Sequence, residues 1–146
     1  MAVLDAISAS VADLRGHLDK VMTEPKDFIN RPHEVLEDML RFQLMGYTDQ
    51  GGGAEYAEVQ AGAAATRALL DQVAPLVAPR DPGLLPKAKA QLDALEAALR
   101  ATQADGKWQP LADVAPQRRR VVAGALGEVL ETLADVPPLL ELPTRR

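Results

Sequence analysis

Cysteine is absent from this 146-residue chain, and aromatic residues make up only 3% of it. The first absence excludes disulfides, iron–sulfur clusters and thiolate zinc sites. The second leaves Leu, Val and Ala to build the core, a palette suited to packed helices rather than to sheets. Strand-like alternation is missing throughout. No apolar run reaches the roughly 18 residues that a membrane-spanning helix needs, so no direct membrane span is expected. The first residues lack a basic segment followed by an apolar stretch, so no signal peptide is read here; the interior of an exported protein would look the same. Basic charge is also short. Sixteen Lys and Arg stand against 21 Asp and Glu, for a net charge of −5, and Arg clusters only at 118–120 and 145–146. Two short clusters do not make the broad basic face that nucleic acid requires.

What is present is helical periodicity in five segments, enough for one core. Residues 3–22 place Val3, Ile7, Val11, Leu14, Leu18 and Val21 at spacings of three and four, on one face. Thr23-Glu24-Pro25 stops that segment. A second, shorter helix over 32–45 is expected to start at Pro32 with Asn30 as its cap, and to end at Gly46. Gly51-Gly52-Gly53 then forms a flexible connector: no GxxxxGK[ST] or GxGxxG spacing is present, and no strand precedes it. The third helix, 54–77, has small residues at its middle (Ala61-Gly62-Ala63-Ala64-Ala65), which let a neighbour approach closely. Prolines at 79 and 82 separate it from a fourth over 84–102, with Leu85, Ala88, Leu92, Leu95 and Leu99 on one stripe. The fifth covers 116–133 and is ended by Pro137-Pro138. The fold class is therefore all-α, an up-and-down four-helix bundle with an additional short helix, the short second helix being an additional or broken element within it. Trp108 closes one end of the core, and Tyr47 and Tyr56, flanking the glycine connector, serve as core or cap residues or edge a pocket.

Ligand-type side chains concentrate in one place: His33, Glu34, Glu37 and Asp38. Residues four apart on a helix share a face, so His33 and Glu37 can grip one cation, with Glu34 or Asp38 at the edge. The series 33, 37, 40, 44 runs on into Leu40 and Leu44, which sets His33 and Glu37 on the core side of the helix. A second reading stands beside this one, because acidic residues also gather at helix starts to meet the dipole. Enzymatic roles find little support. Cysteine is lacking, Ser8 and Ser10 have only His17 nearby in sequence, and Glu34 is not part of an HExxH zinc-protease motif.

His33-Glu34-Val35-Leu36-Glu37-Asp38, running into Met39–Gly46, resembles the HEILED/N…L…ELTG signature of imelysin-like iron-uptake proteins of the EfeO/EfeM type. The similarity continues through Asp49–Gly53, Ala65-Thr66-Arg67 and Asp105-Gly106-Lys107-Trp108 to the region 126–140, covering the chain from about residue 25 onward. The resemblance implies the second half of a double helical bundle, lacking its N-terminal partner bundle. It implies a periplasmic or cell-envelope location and binding of iron or another divalent cation in support of a membrane iron permease. Some members of the family bind acidic polysaccharide with divalent cations, and the family is grouped with peptidases. Its HxxE motif, usual in the first half, is missing here: His17 is followed three residues on by Lys20, and His33 by Leu36. Glu37 and Asp38, then His33 and Glu34, correspond by position to this half's contribution to a metal cleft, with Asp49 near the same end. A partner bundle, or a second copy of the chain, would have to supply the remaining ligands.

Overall fold

The computed structural model describes residues 2–20, 24–47 and 51–140. Six α-helices occur among them: α1 (Ala2–Gly16), α2 (Pro25–Asp38), α3 (Glu55–Val77), α4 (Leu84–Arg100), α5 (Pro116–Leu133) and the single-turn α6 (Val136–Leu139). Short 3-10 turns lie at Leu18–Lys20 and Leu111–Asp113, and a π-helical turn, Met39–Gln43, extends α2. The described residues contain no strand, only an isolated bridge between Ala104 and Lys107.

Helices α2, α3, α4 and α5 form the four-helix bundle, each packed on its chain neighbours and α5 closing back on α2. Cross-helix contacts fix the directions. Thr66 donates to the Pro32 carbonyl (3.3 Å), while Gly62 lies against Met39 and Val35, so rising numbers on α3 meet falling numbers on α2. Lys89 bonds Asp71 (2.6 Å), and Arg67 bonds Asp93 (2.7 Å) and Glu96 (3.1 Å), the antiparallel pattern between α3 and α4. The core stripes are Tyr56, Val59, Ala63, Leu70 and Val73 on α3, Ala88, Leu92, Leu95 and Leu99 on α4, and Val122, Leu126, Val129 and Leu133 on α5. Each repeats at three and four residues, as burial of one helical face demands. Trp108 packs against this core, partly buried.

Some expectations need correction. The second helix starts a full two turns before Pro32. Its N-cap is Glu24, whose amide donates to the Asp27 carboxylate (3.0 Å) in a capping-box arrangement, and Pro25 occupies the first turn. Glu24-Pro25 thus starts a helix, Asn30 is not a cap, and Pro32 sits inside α2. Pro32 has no amide to offer the Phe28 carbonyl, a loss that its burial against α3 and the Thr66 bond accompany.

The second helix is a broken element within the bundle, its α-helical part running into the π turn, and the additional helix is α1. Every residue from Ala2 to Lys20 is exposed, α1 buries none of its side chains, and its main packing is against the turn that follows it. Helix α1 also ends at Gly16, with the 3-10 turn after it; Val21 and Met22, expected to continue it, lie outside the described residues. Finally, α5 ends at Leu133, as expected, and Pro137-Pro138 beyond it belong to a further helical turn. The two prolines fill the first positions of α6, where their missing amides cost nothing, and Val136 buries beside them.

At the other end of α2, the π turn carries bonds from the Leu44 amide to Met39 (3.0 Å) and from Tyr47 to Phe42 (3.1 Å), both spanning five residues. Gly46, at φ +72°, then terminates it, a left-handed conformation that glycine adopts without a Cβ penalty.

Candidate functional site

The core stripe of α2 decides where its ligand-type side chains fall. Pro32 and Leu36 are buried, with Ile29, Met39, Leu40 and Leu44 packed partly against the core. That stripe runs through 29, 32, 36 and 40, one position away from the expected 33, 37, 40, 44. A single residue is about 100° of helix rotation. His33 and Glu37 therefore sit on the flank of α2, with side chains 31% and 43% exposed. Neither carboxylate nor imidazole suffers the desolvation that a core position would impose.

The structure brings His33 and Glu37 together, with Nδ1 3.8 Å from Oε2. It engages the others elsewhere. Glu34 pairs with Arg31 (3.0 Å), and the second oxygen of Glu37 lies 3.4 Å from Arg41, whose guanidinium rests over the Phe42 ring at 5.7 Å. Asp38 is exposed and, among the described residues, has no ion pair. Asp49 lies outside the described residues. Two carboxylates, Glu34 and Glu37, thus face two arginines along one helical flank, and Asp38 adds one negative charge, unpaired among the described residues.

Chemically, this is a two-donor arrangement. A hard divalent cation takes about six oxygen or nitrogen donors. Among the described residues no three His, Asp or Glu side chains converge to hold a metal. His33 and Glu37 can chelate from one side if Arg41 releases Glu37; the rest of the coordination sphere has to come from water or another chain. His17, the histidine nearest Ser8 and Ser10 in sequence, bonds the Asp13 carbonyl through Nδ1 (2.9 Å).

A polar concavity also opens between α3 and α5. Tyr56 of α3 and Arg119 and Arg120 of α5 line it together. Its signal in the sequence was the shared helical face of Pro116, Arg119, Arg120 and Ala123; what could not be read was that Tyr56 lines the same cavity.

No protein-family model matches the chain, and no curated protein matches it.

Proposed function

We propose that this chain is a non-catalytic, cation-binding helical bundle in which His33 and Glu37 are ligands and Glu34 and Asp38 contribute charge at the edge. Iron is the cation, as the resemblance to imelysin-like uptake proteins implies, and the ion is cargo rather than a resident cofactor. The observation that supports this reading is the His33–Glu37 pair, 3.8 Å apart on an accessible flank. Two donors on one helix bind weakly alone, because water fills the other positions and salt screens exposed carboxylates. The site is therefore completed by a partner bundle or a second copy of the chain.

Anaerobic calorimetric titration of Fe²⁺, and of Zn²⁺, over a range of protein concentrations tests this, beside a His33→Ala/Glu37→Ala variant. Affinity should rise with self-association or with addition of the partner bundle, and be lost in the variant. Tight one-to-one binding by a demonstrated monomer, or binding unchanged in the variant, refutes it.

A helical interaction module without metal is the second reading. The exposed face of α1 favours it, with Ile7 54% and Leu14 57% exposed. Contiguous apolar surface of this kind marks association sites. Sedimentation of an Ile7→Asp/Leu14→Asp variant discriminates: loss of an oligomer with metal binding intact assigns α1 to association alone.

A further inference from the structure

We propose that the cavity between α3 and the first two turns of α5 binds a small organic oxyanion, held by Arg119, Arg120 and the Tyr56 hydroxyl. The cavity measures about 360 Å³, within the range of small-ligand sites. Its apolar wall comes from Leu44, Leu111, Pro116 and Ala123. Its polar groups are those three side chains.

Tyr56 carries the argument. The residue has no solvent exposure, lines the cavity, and its hydroxyl has no hydrogen-bond partner among the described residues. Buried hydroxyls are nearly always paired, so an orphan hydroxyl on a residue that lines a cavity is a donor that a ligand oxygen can satisfy. Burial pushes the phenol above its ordinary range, with Arg119 opposing that shift and Glu55 adding to it. The hydroxyl therefore keeps its proton and is available as a donor, within reach of the Arg119 charge.

The cations are equally available. Among the described residues neither Arg119 nor Arg120 makes an ion pair, whereas adjacent Arg118 is occupied by the Ala101 carbonyl (3.0 Å). Helix α5 starts without a side-chain cap and without an acidic residue in its first turn, so the positive end of its dipole adds to the two guanidiniums. Glu55 is the opposing charge; its carboxylate accepts the Leu111 amide (3.3 Å), leaving two cations against one anion. Paired guanidiniums suit planar or tetrahedral oxyanions, and the apolar wall suits a short hydrocarbon or aryl body attached to one.

The test is an NMR titration of the full chain with phenyl phosphate, benzoate and inorganic phosphate. Saturable shifts at Tyr56 and the first turns of α5 are expected for phenyl phosphate or for benzoate. The preferred one identifies a phosphate monoester or a carboxylate as the ligand class. Inorganic phosphate, lacking the apolar body, should bind at least several-fold more weakly than phenyl phosphate. Arg119→Ala/Arg120→Ala should abolish binding. Tyr56→Phe should weaken it about tenfold, the scale of one hydrogen bond to a charged group. Because it removes an orphan hydroxyl, Tyr56→Phe should melt no lower than the parent without ligand, whereas a merely structural tyrosine would melt lower. Absence of saturable shifts with both organic anions, or binding undiminished in the double arginine variant or in Tyr56→Phe, overturns the proposal.

Discussion

Replacing Gly62 by Ala should destabilise the bundle by about 1 kcal/mol, and the same replacement in a Met39→Ala background should stabilise it by a similar amount. Gly62 is buried in the interior of α3, where alanine is intrinsically better by about 1 kcal/mol. An added Cβ, however, would stand 2.9 Å from Met39 Cγ and 3.2 Å from its Sδ. Ordinary carbon contacts lie at about 3.5–4.0 Å, so something must move by more than half an ångström. Methionine's terminal atoms swing easily, but Cγ is close to the backbone and moves only with χ1. Overpacking of this kind costs about 1–3 kcal/mol; a middle value, less the helix preference, leaves the net loss of about 1. Met39→Ala removes both crowding atoms and leaves Val35 Cγ1 at 3.6 Å, an ordinary contact. The helix preference then acts alone, and the sign reverses. Urea unfolding of the four proteins, followed by far-ultraviolet circular dichroism, gives the coupling directly, expected near 2 kcal/mol. A coupling below about 0.5 kcal/mol, or a Gly62→Ala protein more stable than its parent, would refute the reasoning that Gly62 is the point where α2 closes on α3.

Stability should fall as pH rises above about 10, because unfolded tyrosine loses its proton there while buried Tyr56 retains it. Tyr56→Phe should flatten that slope, and a slope unchanged in the variant would assign the loss to another group. A chain beginning at Glu24 should melt within about 2 °C of the full chain, since α1 buries none of its side chains; a drop beyond about 5 °C would show that α1 supports the bundle. Arg67→Ala should cost about 1 kcal/mol, chiefly through the arm to Glu96, which is 20% exposed, rather than the arm to Asp93, which is 72% exposed. Burial opposes the Arg67 charge, but its bonds to Glu96 and Asp93 outweigh that and hold its pKa above the ordinary value. Equal losses in Glu96→Gln and Asp93→Asn would contradict the ranking.

Much of α3, α4 and α5 was legible in the sequence, and so was Gly46 as the terminus of the second helical segment. Leu85, Ala88, Leu92, Leu95 and Leu99 share a stripe because a helix must present one apolar face, whatever it packs against. The small run around Gly62 announced close approach, and Met39 sits there. The start of α2 was missed because Pro25 and Pro32 both suit a first turn; the Glu24–Asp27 bond decided in favour of Pro25. The candidate metal residues were legible as a set, since His33 and Glu37 must lie on one face. Their exposure was not, because the choice between stripes 33–37–40–44 and 29–32–36–40 depends on where α3 lies.

Sequence alone determined the helical class, the core faces of the last three bundle helices and the pairing of His33 with Glu37. These follow from properties of single segments: periodicity, propensity and the reach of neighbouring side chains along one turn. Tertiary structure decided which amphipathic helix joins the bundle. Helices α1 and α2 both carry apolar residues at helical spacing, yet α2 buries Leu36 and Pro32 against α3 while α1 buries nothing. It also decided that Tyr56, Arg119 and Arg120 line one cavity, residues of two helices whose mutual approach is set by the summed burial of Leu, Val and Ala across the whole core. That sum belongs to no segment, so no local pattern records it.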